Sequence, residues 1–74
     1  MIKNKDVAEK ISLLMLDVGS RIDESISMVK EQCSDIEFDM YRKAAGKVMG
    51  EMLISIMNPI YKEHPDLKPK GLVY

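Results

Sequence analysis

With 74 residues and a formal net charge of −1, the chain has room for one small domain, and no overall positive field draws it to nucleic acid or anionic lipid. A single cysteine excludes an internal disulfide, so we expect a reducing compartment, the cytoplasm. No apolar run approaches the roughly 18 residues of a membrane span, and we expect no membrane segment.

The first predicted helix covers residues 5–32. Apolar side chains recur along it at spacings of three and four, as on one face of an α-helix. These side chains belong to Val7, Ile11, Leu14, Met15, Val18, Ile22, Ile26, Val29 and Cys33. Asn4 is placed to cap the helix. Leu13 and Leu16 break the pattern and project from the side that a monomer should keep polar.

A turn between two helices is predicted at Cys33 and Ser34. Ser34 and Glu37 have the S-x-x-E spacing of a capping box, and Cys33 and Phe38 occupy the flanking staple positions. We interpret Cys33 as a staple or small core residue and not as a nucleophile. One helix therefore ends here and another begins, which gives a helical hairpin.

The second predicted helix covers residues 35–63, and its apolar band is too wide for one partner helix to cover. The side chains beyond the main stripe are those of Ile36, Met40, Ile54 and Met57. Pro59 lacks the amide that a regular helix requires, so the helix kinks there or ends, with Asn58 as the cap of a short new turn.

Three glycines, Gly19, Gly46 and Gly50, fall at one level of the predicted hairpin. A glycine inside a helix costs about 0.5 to 1 kcal/mol relative to alanine. A close helix crossing that only small residues permit would explain them. The alternatives are that they are merely tolerated, or that Gly46 and Gly50 face a second subunit.

Residues 65–74 are predicted to form an extended tail, separate from the hairpin of residues 1–64. Two prolines and a glycine prevent a helix there. Its apolar residues are expected to dock on the hairpin itself or on a partner. They are Leu67, Leu72, Val73 and Tyr74.

The sequence offers little for catalysis, and we predict no catalytic, cofactor or metal site. The one histidine, His64, lies beside Glu63 and near Asp66. These three supply only a fragment of a metal site, which needs three or four convergent ligands. Tyr41 and Tyr61 are expected at the edge of the core with solvated hydroxyls.

Charge is distributed unevenly along the chain. Residues 17–39 carry seven acidic side chains against two basic ones, whereas lysines gather toward both termini. Folding the hairpin brings the termini together, so one end should be more basic and the other more acidic.

We therefore predict an all-α antiparallel hairpin that pairs with a second copy into a homodimeric four-helix bundle. The predicted self-association residues are Leu13, Leu16, Ile36, Met40, Gly46, Gly50, Ile54 and Met57. The favoured function is a non-enzymatic small cytoplasmic protein that acts by protein–protein interaction as an adaptor, regulator or chaperone-like partner. The alternative is a nucleic-acid-associated regulator that uses the lysine-rich end. A pocket for an apolar ligand would need buried polar groups, of which Ser25 is the only obvious one, so no small-molecule substrate is expected.

Overall fold

A computed structural model describes residues 1–70, and every regular element in that range is helical. The elements are α1 (Lys5–Gln32), α2 (Asp35–Met52), a π-helical turn (Leu53–Met57), α3 (Asn58–Glu63) and a 3-10 turn (Pro65–Leu67). α1 packs against α2 and confirms the prediction of an all-α helical hairpin. The predicted tail contacts Leu72, Val73 and Tyr74 lie outside the described residues.

Two residues, Cys33 and Ser34, connect α1 to α2. The amide of Glu37 donates to the Ser34 hydroxyl oxygen at 3.2 Å, and the amide of Ser34 donates to the Glu37 carboxylate at 3.1 Å. The predicted capping box is therefore confirmed, and it satisfies two amides that the start of a helix leaves without partners. Cys33 is exposed, so the interpretation of it as a small core residue is wrong; its amide donates to the Val29 carbonyl oxygen at 2.9 Å. Phe38 is half-buried, with the Lys30 ammonium 5.9 Å from its ring centre.

The chain remains helical through Pro59, because the turn that precedes this proline is a π turn and not an α-helical turn. The amide of Asn58 bonds to the carbonyl oxygen of Leu53, five residues earlier, in a π turn. This turn lies where a regular helix would place the Pro59 ring against the carbonyl oxygen four residues before it. Asn58 has helical dihedral angles and is the first residue of α3, whose N-cap position is Met57, so the prediction that Asn58 caps a new turn is wrong.

The π turn also changes which side chains face inward. A π turn takes more residues than the 3.6 of an α-helix, so side chains from its last residue onward are rotated relative to the α-helical period. Met57, which the period placed on the outer surface, is instead buried with 7% of its surface exposed. Met57 also lines the open groove between α1 and α2 that is described below.

The buried core lies at one end of the hairpin, where both termini meet. We call this the terminal end, and the opposite end, around Cys33, the hinge end. The buried apolar side chains of the core at the terminal end are those of Ala8, Met57, Ile60 and Tyr61. The half-buried residues packed on them are Ile2, Ile11, Met15, Leu53, Ile56 and Leu67. Toward the hinge end Ala45 is the only buried apolar residue among those described.

Contacts between the two termini close the terminal end, and we call them the terminal clamp. The His64 Nε2 atom lies 2.7 Å from the carbonyl oxygen of Ile2, and Lys5 forms an ion pair with Asp66. Residues 65–67, predicted as extended, form a 3-10 turn in which the Leu67 amide bonds to the His64 carbonyl oxygen at 3.0 Å. The turn places Leu67 against the core.

The molecule is a rod. Its principal extents are 44, 19 and 16 Å, and its radius of gyration is 14.4 Å. A compact domain of this length would have a radius of gyration of roughly 11 Å. Along much of the rod, therefore, α1 and α2 pack only on each other and no further element covers them among residues 1–70.

Removing the cap at Ser34 should weaken the hairpin. Ser34→Ala is expected to lower the free energy of unfolding by about 0.5 to 2 kcal/mol, because the Glu37 amide loses its acceptor. Urea unfolding followed by circular dichroism measures this change. Ser27→Ala, at an exposed site within α1, is the control and should be near neutral or slightly stabilising. Equal losses in both variants would contradict the cap.

The capping box should also make stability depend on acid pH. The Ser34 amide and hydroxyl donate to the Glu37 carboxylate and lower its pKa below the usual value. A carboxylate whose pKa is lowered by folding stabilises the fold above its unfolded pKa of about 4.3. This stabilisation is lost as the pH falls through the folded pKa.

Glu37→Gln should therefore reduce the decline in melting temperature between about pH 5 and pH 2, since the amide does not titrate. Melting temperature measured across this range is the readout. Glu24→Gln, at an exposed α1 site, is the control and should leave the decline unchanged. A Glu37→Gln profile that matches wild type would contradict the prediction.

Candidate interaction surface

An open apolar groove runs between α1 and α2 near the middle of the rod, with a volume of about 580 Å³. We call it the glycine groove and define it by the residues that form its apolar surface: Met15, Leu16, Gly19, Gly46, Met49, Gly50, Met52, Leu53 and Met57. Ser20 and Asp23 lie at its edge on α1. The groove is a concave apolar surface on the outside of the hairpin, which is the kind of surface that another helix can fill.

The three glycines create this space and do not form a close contact. A Cβ atom built at Gly19, Gly46 or Gly50 meets no atom within 4 Å outside its own helical surroundings. The predicted close crossing of α1 and α2 at these residues is therefore wrong. All three glycines line the open groove, so the hairpin itself does not require their small size.

A second apolar surface lies on the other flank of the hairpin. Val7, Leu14 and Val48 are each about half exposed, and by the 3.6-residue period Val48 lies on the flank of α2 away from Gly46 and Gly50. The sequence pattern placed Val7 and Leu14 in the seam between the helices. The structure instead leaves them exposed at the edge of this seam.

The predicted self-association residues are spread over several parts of the surface. Leu16, Gly46, Gly50 and the buried Met57 line the glycine groove. The exposed members that lie elsewhere on α1, α2 and the π turn are Leu13, Ile36, Met40 and Ile54. Ile36 is 74% exposed and Ile54 is 66% exposed. Sequence reasoning missed four groove residues because their place in the apolar stripe indicated core alone: Met15, Met49, Met52 and Leu53.

Two serine–tyrosine hydrogen bonds cross from α1 to the second half of the chain. The hydroxyl oxygens of Ser12 and Tyr61 lie 2.6 Å apart, and both residues are buried. Those of Ser25 and Tyr41 lie 2.7 Å apart in a more exposed position. The predicted solvated hydroxyl of Tyr61 is thus wrong, and Ser12, not Ser25, is the buried polar residue of the seam. Each bond fixes the register of the hairpin at its own level.

Two of the residues considered for a metal site, His64 and Asp66, take part in the terminal clamp. A hydrogen bond from Lys5 lowers the pKa of Asp66, and the same contact raises the pKa of Lys5. His64 meets the Ile2 carbonyl oxygen. Within residues 1–70, no group of three His, Cys, Asp or Glu side chains is placed to hold a metal ion. These side chains instead connect the two termini.

No helix among the described residues has the length and apolar character needed to cross a membrane. Comparison of the chain with protein-family models, with curated proteins and with solved structures gives no significant match.

Because only one of the two serine–tyrosine pairs is buried, we expect removal of the Tyr61 hydroxyl to destabilise the fold more than removal of the Tyr41 hydroxyl. Tyr61→Phe should lower the free energy of unfolding by roughly 1 to 3 kcal/mol, because it leaves the buried Ser12 hydroxyl without this partner. Tyr41→Phe, at the exposed pair, is the control and should cost less. Adding Ser12→Ala to Tyr61→Phe should recover part of the loss, since both polar atoms are then removed.

Urea unfolding of the three variants measures these differences. Equal losses at the two tyrosines, or a double variant no better than Tyr61→Phe alone, would contradict the account of the seam.

Proposed function

We propose that this protein acts by binding other protein chains and not by catalysis, and that its first partner is a second copy of itself. The observation that carries the proposal is that few apolar side chains are buried in the core while many large ones are exposed on the surface. The buried core is small and gathered at the terminal end, whereas large apolar side chains stay exposed along α1, α2 and the π turn. Pairing two hairpins into a four-helix bundle covers such surfaces, as helical bundles do generally.

The role beyond self-association that we propose is that of an adaptor, regulator or chaperone-like protein in the cytoplasm. Two features support it. Ile36, Met40 and Ile54 are exposed on α2 and the π turn outside the glycine groove, so a dimer formed through the groove still has apolar surface for another protein. The exposed free thiol of Cys33 suits a reducing compartment.

The nucleic-acid alternative has no comparable support. Lysines do lie at the terminal end, but Lys5 is paired with Asp66, and acidic side chains such as Asp6 and Glu63 lie among the others. A phosphate-binding surface needs basic groups that are free to replace counterions. We therefore advance protein–protein interaction alone.

Sedimentation equilibrium at micromolar concentration should give twice the 8.4 kDa chain mass. The melting temperature should rise with protein concentration, because association stabilises the folded state by mass action. A monomer whose melting temperature is independent of concentration would rule the proposal out.

A further inference from the structure

We infer that the two copies pair antiparallel through their glycine grooves, with the hinge end of each hairpin beside the terminal end of the other. This inference rests on the proposed self-association and specifies its surface and its orientation. Three observations carry it: the position of the groove, the distribution of charge, and the unequal thickness of the two ends.

The groove lies where an antiparallel pair can use it symmetrically. Gly19 is near the midpoint of α1, which runs from Lys5 to Gln32. A two-fold axis perpendicular to the rod at the level of Gly19 places one groove against the other. The two 44 Å rods then stay in contact along their whole length. This is an isologous contact, in which both copies use the same surface.

The side chains at the groove can fill the space between the two copies. Leu16 is 37% exposed at its edge, and Met15 and Met49 have flexible thioether side chains that adapt to irregular gaps. The glycines leave the backbones of both helices accessible, so a second hairpin can approach closely. In the dimer these residues become the centre of the four-helix bundle.

Charge favours the antiparallel orientation over the parallel one. The hinge end, residues 21–45, carries six acidic and four basic side chains, whereas residues 1–16 and 52–70 of the terminal end carry six basic and four acidic ones. A parallel pair would place two acidic ends together and two basic ends together. An antiparallel pair places opposite charges together within about one Debye length, some 8 to 10 Å.

Shape favours the same orientation. The terminal end carries α3, the 3-10 turn and the N-terminal segment around Ile2, whereas the hinge end consists of two helices and a two-residue connection. An antiparallel pair sets each thick end beside a thin end. The overlap of the two rods is then continuous, and both hinge ends gain neighbours that they lack in the monomer.

The single thiol tests the orientation directly. Cys33 is exposed at the hinge end, so a nitroxide label attached there in the otherwise native chain reports the distance between the two hinges by double electron–electron resonance. The inference predicts a distance close to the 44 Å length of the rod. A parallel pair would place the labels on the order of 20 Å apart or less, since packed helices lie about 10 Å apart.

A short distance in a dimer would overturn the antiparallel inference and leave the proposed self-association standing. A monomer mass with no dipolar signal would overturn both. Dilution of labelled with unlabelled chain should reduce the signal in proportion, which confirms that the distance lies between two copies.

A pair of substitutions tests the surface. Gly46→Leu fills the groove, and the space around Gly46 lets the monomer accept it, while leucine is the better helix former. It should raise the dimer dissociation constant roughly tenfold or more, since overpacking an interface is costly. Ala44→Leu, at an exposed site of the same helix outside the groove, is the matched control and should change it little.

Circular dichroism should show unchanged helicity in both variants. The reverse pattern, with Ala44→Leu disrupting the dimer and Gly46→Leu not, would overturn the groove as the interface. Equal dissociation constants in wild type and Gly46→Leu would overturn it as well.

Discussion

Each helix of a two-helix hairpin can bury only the stripe that faces its one neighbour, and any further apolar residue stays in contact with water. In this protein the apolar residues exceed one stripe on both helices. Leu14 and Val48 flank the seam, and Leu13 and Ile54 lie further out, all of them exposed. We base the proposed self-association on this constraint, because a second chain would cover the apolar surface that the chain cannot cover itself.

At the terminal end, further segments of the chain cover apolar surface that the two helices alone would leave exposed. Pro59 interrupts the regular helix, the π turn before it rotates Met57 inward, and α3 then brings Ile60 and Tyr61 onto α1. The terminal clamp adds the N-terminal segment and Leu67 as further cover. At the groove and the hinge end no such third layer is present among residues 1–70, so a second hairpin is the cover that we propose there.

Local signals in the sequence predicted the helices and the turn between them. Contacts between residues far apart in the chain could not be predicted in this way. The capping box at Ser34 is a contact within three residues, so its spacing alone located the turn. The position of Met57 was wrong because a π turn has no sequence signature comparable to the α-helical period. The contact of His64 with the Ile2 carbonyl spans almost the whole chain. No local rule could supply it.

The central claim is that the hinge end and the groove depend on a second copy, whereas the terminal end has its own core. Hydrogen exchange of backbone amides, measured above and below the dimer dissociation constant, tests this most directly. The account predicts that dilution removes protection from the hinge-end halves of α1 and α2, while amides around Ile60 keep more of theirs. Protection that is equal at the two ends and unchanged by dilution would contradict the account.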